Sequence, residues 1–263
     1  MAVNVRIISL DAHVKRPATH PVKVVFPDAA FFPAVDFRKT SADDLLSEGL
    51  VTFGGYEAIK NGRKYHHELS TPGAVGLSLS YYNIAREFAS KRSPVLVCED
   101  DCLPRNDVPE VVAQLLQHQS RFDVAVLGSF GHVHGTKIGP SEFEGFGELK
   151  GGYFWGMHCV LFSRGGIEKF ARLSAPPVDC QLDAHLSRLA VRGDMRVLLQ
   201  EDGCPPLATQ KFHPSTIQTQ GACTMCDIEP KAVLGFDHKL VWVLLVVCVL
   251  YIFVMHSCCV KVW

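Results

Sequence analysis

The chain has 263 residues, 26 Lys+Arg against 27 Asp+Glu, and a formal net charge of -1. With 48% hydrophobic and 20% charged residues, the composition is globular; it excludes a disordered, collagen-like or coiled-coil chain. The charge balance offers no basic excess of the kind nucleic acid requires, so nucleic acid is not an expected partner.

In chain order, Val3–Leu10 is short, β-branched and apolar and predicts a strand, with a second apolar run at Val22–Phe26. Residues Thr40–Leu50 predict a helix, with Thr40 or Ser41 as N-cap and acids in the first turn. Gly54–Pro72 carries several breakers and reads as a loop. A helix follows Pro72 through Val75, Leu79, Tyr82 and Phe88.

Ser93–Cys98 is a continuous apolar strand that stops at Glu99-Asp100-Asp101. A helix at Val108–Gln119, a strand at Phe122–Leu127 and a glycine-rich loop at Gly128–Gly152 come next. A third apolar run, Gly156–Ser163, leads to a helix over Gly166–Leu173. Pro176-Pro177 breaks the chain before a helix at Asp179–Val191, and Val197–Leu199 is a short strand. Alternating strands and helices predict an α/β sheet with helices on its faces.

Residues 216–239 read as a linker. Leu240 to Val260 contain no Asp, Glu, Lys or Arg across 21 positions. At 1.5 Å rise per residue such a run spans roughly 30 Å, one hydrocarbon core, so a C-terminal transmembrane helix is expected. Lys231 and Lys239 before it and Lys261 after it weakly favour a tail anchor with the bulk of the chain on the cytoplasmic side. The lipid bilayer is thus an expected partner. The ten cysteines fall at irregular positions, several inside apolar runs, and read as buried thiols in a reducing compartment. Cys223 and Cys226 form a lone CxxC, too few ligands for a zinc site.

The chemistry is expected at Glu99-Asp100-Asp101, because loops at strand ends of an α/β sheet build ligand sites. Along an extended chain, alternation sends Glu99 and Asp101 one way and Asp100 the other. Crowded carboxylates repel one another. A hard divalent cation, Mn²⁺ or Mg²⁺, removes that cost, and could clamp the diphosphate of a nucleotide-linked substrate.

Four blocks resemble glycosyltransferase family 25, which includes lipooligosaccharide galactosyltransferases and procollagen galactosyltransferase domains. Ile8-Ser9-Leu10 followed by Arg16 is similar to the family's I-N-L…R block. Gly73-Ala74-Val75-Gly76-Leu77-Ser78-Leu79-Ser80-Tyr81 resembles G-E-I-G-C-x-L-S-H. Val95–Asp101, VLVCEDD, resembles the L-I-L-E-D-D motif. Gly156–Ser163, GMHCVLFS, resembles G-T-H-A-Y-L-I-S, and Val178-Asp179 follows as the family's P-V-D does. Ser9, Ala74, Tyr81 and Val160 depart from the pattern.

The resemblance implies a GT-A-like nucleotide-sugar-binding domain over 1–215. It also implies a metal-dependent, inverting transfer of a hexose, galactose first, from a UDP-sugar to a hydroxyl of a glycan or glycoprotein acceptor. Inversion needs a base at the acceptor hydroxyl. Asp179 and Asp183, one helical turn apart, are the two candidates; Asp179 lies in the matched block and also suits an N-cap. Glu99 and Asp101 are expected at the metal, with His213 from a C-terminal loop as a third ligand. Asp100 is placed on the donor, with Leu10, Arg16, Gly73, Gly76, Ser80 and His158. Gly73 and Gly76 equally suit a tight turn, and His158 equally suits a core position. The alternatives are an inactive nucleotide-sugar-binding domain and a metal-dependent phosphohydrolase built on the same acids.

Overall fold

The computed structural model describes residues 3–10, 19–133 and 135–211. Arg16, His213, the linker at 216–239 and the apolar segment 240–260 lie outside the described residues. Among the described residues no helix is long and apolar enough to cross a membrane.

The elements run β1 (Asn4–Ser9), α1 (Pro21–Val25), β2 (Ala30–Pro33), α2 (Ala42–Ser47), α3 (Phe53–Asn61), α4 (Pro72–Lys91), β3 (Val95–Glu99), β4 (Cys102–Pro104) and α5 (Val108–Gln117). They continue β5 (Val124–Gly128), β6 (Gly131–His132), β7 (Lys137–Gly139), β8 (Phe146–Gly151), β9 (Phe154–Trp155), β10 (Cys159–Phe162), α6 (Arg164–Leu173), α7 (Leu182–Val191), β11 (Val197–Gln200) and β12 (Ala208–Gln210).

Eight strands form one mixed sheet in the order β2-β1-β3-β10-β5-β11-β8-β7. β1 is parallel to β2 and β3, and β11 is parallel to β5. β10 enters antiparallel between β3 and β5, and β8 antiparallel beside β11. The fold is therefore α/β with a large mixed sheet, as the alternation of elements predicts.

The central strands β1, β3, β10, β5 and β11 feed two cores, because successive side chains point to opposite faces. Val95 and Val97 of β3 join Val160 and Phe162 of β10 on the face covered by α4, α6 and α7. Leu96 and Cys98 join Cys159 and Leu161 on the face covered by α1 and α5. Continuous apolar runs on β3, β5 and β10 follow from burial on both faces. Cys98, Cys102, Cys159 and Cys180 are buried thiols, as expected, whereas Cys204 is exposed.

The run Val22–Phe26 is a helix rather than a strand. Pro21 sits in its first turn with its ring pre-set for helical φ, and the His20 ring accepts from Val22 N–H as a cap. The sheet strand lies just downstream at β2. The expected loop at Gly54–Pro72 begins as helix α3, capped by Thr52 on Gly55 N–H at 3.1 Å. Gly55 there is a packing requirement: a Cβ would sit 2.8 Å from Leu69 Cδ1 and 3.1 Å from the Val178 carbonyl. The glycine-rich stretch 128–152 contributes β6, β7 and β8.

The helix predicted from Asp179 starts at Leu182. Val178 is held extended by a bridge to Val51, donating to Leu50 O at 2.8 Å and accepting from Thr52 N–H at 3.0 Å. Asp179 therefore precedes the helix and does not share a helical face with Asp183.

Candidate functional site

β3 ends inside the sheet, and the chain turns through Asp100 and Asp101 into β4. The acids divide as alternation predicts. Gln210 Nε2 donates to Glu99 Oε2 at 2.9 Å and to Asp101 Oδ1 at 3.2 Å, so one amide bridges both carboxylates. Asp100 instead accepts from Ser9 Oγ at 2.7 Å. Its carbonyl meets His20 Nε2 at 3.0 Å.

Gln210 reaches this place because β12 pairs antiparallel with β4, setting Gln210 opposite Cys102. Lys211 N–H then donates to Asp101 O at 2.8 Å.

Burial and the charges of Asp101, Asp100 and Asp183 push the Glu99 carboxyl up to about 8, against the weaker opposing effect of the Gln210 amide. Glu99 and Asp101 thus present two oxygens to one donor, with like charge crowded around them. That is a fitting donor set for a hard divalent cation, which takes one or two protein carboxylates and completes its shell with water and substrate phosphate.

Asp183 opens α7 and approaches the same acids. Its Oδ2 accepts from Gly156 N–H at 2.9 Å and its Oδ1 from Ala184 N–H at 2.7 Å. Burial outweighs these bonds and holds its carboxyl above the usual range. Asp179 is differently placed. Arg188 grips it with its two terminal guanidinium nitrogens, Nη1 and Nη2, at 2.6 and 2.8 Å, and the Asp179 pKa is lowered. A carboxylate clamped this way is a poor proton acceptor, which weighs against the expectation of Asp179 as the base. Arg188 also donates to His185 Nδ1 at 3.0 Å, and His185 Nε2 meets Ser174 Oγ at 2.9 Å. This chain of bonds braces the entrance to α7.

Other expected donor contacts have structural duties. Ser80 is fully buried; its hydroxyl donates to Gly76 O at 2.7 Å and accepts from Val35 N–H at 2.8 Å. It has no face toward a cleft, and the expectation that it contacts a donor is corrected. Gly76 lets the Val35 carbonyl approach, since a Cβ would lie 2.4 Å from that oxygen. Its small size is used by the protein's own backbone. Gly73 stands in the first turn of α4, after the Thr71 cap. Leu10 closes β1 half-buried next to Ser9.

His158 is 1% exposed, with Nε2 on Ala208 O at 3.1 Å and its ring against Gly128. Its Nδ1 is buried without a hydrogen-bond partner. This is a core histidine; burial keeps its pKa low. Tyr81, which departs from the family pattern, donates from its buried hydroxyl to Met157 O.

Gln210 and Ser9, which hydrogen-bond the acids, and His66, whose charge when present lowers the Asp183 carboxyl, are not marked in the sequence as site groups. Ser9 stood in a matched block, where it could have been found. Gln210 carries no local signal, because only the β12–β4 register delivers it.

No family model matches the chain. A "Glycosyltransferase 25 family member" of Drosophila melanogaster is 40% identical over 75 residues, 28% of this chain and 11% of that protein. One of Drosophila pseudoobscura pseudoobscura is 38% identical over 71 residues, 27% of this chain and 10% of that protein. Over such a stretch the chain resembles glycosyltransferase family 25, and the stretch is about a tenth of the relatives' length. Among solved structures, apo UDP-glucose pyrophosphorylase matches at TM-score 0.41 and 13% identity, covering 76% of this chain and 90% of that one. Galactosyltransferase LgtC in complex with donor and acceptor sugar analogs matches at TM-score 0.40 and 12% identity, covering 81% and 88%.

Proposed function

We propose that the chain is a glycosyltransferase. It moves a hexose, galactose first, from a UDP-sugar to a hydroxyl of a glycan or protein side chain, with inversion and with Mn²⁺ or Mg²⁺. The observation that carries the reading is one strand-end turn with Glu99 and Asp101 tied by a single amide, beside a further carboxylate, Asp183, of raised pKa. The partial likeness to family 25 members supports it.

Glu99 and Asp101 would hold the cation, with His213 as a candidate further ligand. When bound, the cation neutralises the crowded acids and draws charge from the departing diphosphate. Asp100, fixed by Ser9, is assigned to the donor, along with Leu10, Arg16 and Gly73. Asp183 receives the acceptor hydroxyl proton at a carboxylate oxygen. Its raised pKa makes it a stronger base than a solvated aspartate, and the two backbone N–H groups fix its orientation. Catalysis is assigned to residues 1–215, and 240–260 is assigned the role of a membrane anchor.

The test is UDP release and product formation by the full chain in detergent, with a panel of UDP-hexoses and hydroxyl acceptors, in Mn²⁺ and in chelator. The expected result is metal-dependent transfer that Asp101→Ala abolishes, together with weakened Mn²⁺-dependent nucleotide binding. Transfer undiminished in Asp101→Ala would overturn the site. Metal-dependent phosphate release from simple esters, without sugar transfer, would overturn the function.

A further inference from the structure

Three cysteines converge beneath the acidic turn. Cys98 precedes Glu99 in β3, Cys102 follows Asp101 and opens β4, and Cys159 opens β10. All three are 0% exposed. Two of the thiols thus bracket Glu99-Asp100-Asp101 in sequence, and the third meets them from the neighbouring strand.

The strand register brings them together. β10 runs antiparallel to β3 with Cys159 opposite Cys98. Glu99 N–H donates to His158 O at 3.0 Å, so the ladder bonds fall on the flanking pair. Cys98 and Cys159 therefore face each other at a non-hydrogen-bonded position, where opposed side chains come closest. Their Sγ atoms are 3.8 Å apart. The three sulfurs all lie within 4.8 Å of one another, and no fourth Cys, His, Asp or Glu among the described residues joins the group.

Sulfurs bound about 2.3 Å from a shared ion lie about 3.8 Å apart in a tetrahedral centre and about 4.0 Å apart in a trigonal one. The Cys98–Cys159 separation is already that of two ligands to one ion. Thiolates select soft ions. Three ligands without a fourth do not make a structural zinc site, which is almost always four-coordinate.

Charge narrows the choice further. The sulfurs lie in the apolar layer with Leu96, Leu127, Leu161 and Leu207. The charged side chain that bears on Cys98 and Cys102 is Glu99, itself an acid. Three thiolates on a monovalent or divalent ion carry net negative charge, which is costly to bury without a counter-ion. Three on a trivalent ion carry none. A disulfide is the competing use of Cys98 and Cys159. It would leave Cys102 out, and thiols with no exposed surface are poor targets for an oxidant.

We propose that Cys98, Cys102 and Cys159 form a trithiol site for a trivalent, thiophilic metalloid of the arsenite class. Arsenous acid gives up its three hydroxyls, each of which takes a thiol proton and leaves as water, while three arsenic–sulfur bonds form. Arsenic stays trivalent, so no oxidant or reductant is consumed, and reactants and product are all neutral. The adduct ties β3, β4 and β10 together under the acidic turn. The site does not depend on the transferase reading.

The probe is sodium arsenite, with the full chain in detergent and a phosphine reductant, which brings no competing thiol. The parent chain for the test carries Cys223→Ser, Cys226→Ser, Cys258→Ser and Cys259→Ser, so that closely spaced pairs elsewhere do not take the probe. One arsenic per chain should survive gel filtration, and X-ray absorption at arsenic should show three sulfur neighbours and no oxygen. Arsenite at a hundredfold excess over its Kd should raise Tm by roughly 5–10 °C. Cys102→Ala and Cys159→Ala should each lose the retained arsenic and the Tm shift, while Cys180→Ala and Cys204→Ser keep both.

Arsenic retained by Cys102→Ala as well as by the parent would overturn the site. So would two sulfurs and an oxygen around arsenic in the parent, a result that needs no core variant and stands even if those variants fail to fold. A parent that retains no arsenic, tight Zn²⁺ binding at the three thiols in preference to arsenite, or a Cys98–Cys159 disulfide in the purified chain would each overturn it too.

Discussion

Replacing Glu99 by Gln removes a carboxyl that the fold holds at about 8 instead of 4.5. The folded chain therefore keeps a proton that the unfolded chain gives up. Between these two values the native state binds more protons, so stability falls as pH rises through the window. At pH 7.5 the unfolded group is about 3 units above its pKa and fully charged, while the folded group is mostly neutral. At about 1.4 kcal/mol per unit, the metal-free protein is destabilised by about 4 kcal/mol relative to acid pH. The substituted amide is neutral throughout and still accepts from the Gln210 amide. For a domain of this size, 4 kcal/mol corresponds to a Tm difference of roughly 10 °C.

Thermal unfolding from pH 5 to 9, in chelator and in Mn²⁺, tests this. Wild type in chelator should lose stability from pH 5 to about 8 and level off above it, and Glu99→Gln should flatten the profile and melt higher at pH 8. Mn²⁺ should restore wild type and leave the variant unmoved. If Glu99→Gln melts at or below wild type at pH 8 without metal, the crowding argument for a cation at this turn fails.

Asp183→Asn should keep donor binding and lower kcat by about a hundredfold or more, as loss of a general base does, whereas Asp179→Asn should act mainly on stability by releasing Arg188. Pre-steady-state kinetics on both variants separates the two, and equal loss of turnover in both would restore Asp179 as a candidate base. Gly76→Ala should destabilise the protein by about 1–3 kcal/mol, since the new methyl meets the Val35 carbonyl and backbone cannot step aside cheaply. Chemical denaturation measures it. An unchanged midpoint with weakened UDP-sugar binding would return Gly76 to the donor site.

The strands were legible because burial on both sheet faces leaves uninterrupted apolar runs such as VLVC and CVLF, and long helices because their caps and period are local. The acidic turn was legible for the same reason: three acids after a buried strand are conspicuous. What stayed hidden depends on distant contacts. α1 looked like a strand because five apolar-rich residues fit either period, and the deciding feature was Pro21. Gly54-Gly55 looked like a break, yet Gly55 is small so that α3 can lie against Leu69 and Val178. Asp179 looked like the better base because its block matched; its partner Arg188 is nine residues on and meets it only after α7 forms. Gln210 was invisible for the same reason, since its role comes from a three-residue strand pairing across a hundred residues of chain.

The two-faced construction of β3 constrains how this site can vary. Val95, Val97 and Glu99 share one side of the strand, and that is the side on which α7 lies and Asp183 waits. Leu96 and Cys98 share the other. A single-residue insertion or deletion within 95–99 would exchange the two sets, turning Glu99 toward α1 and α5 and driving a thiol toward α7. Only paired changes preserve parity. Length in this strand is thus under tighter control than composition: Val97 can be traded for Ile at modest cost, but the count of residues from the strand's start to its carboxylate is fixed by the geometry of the pleat.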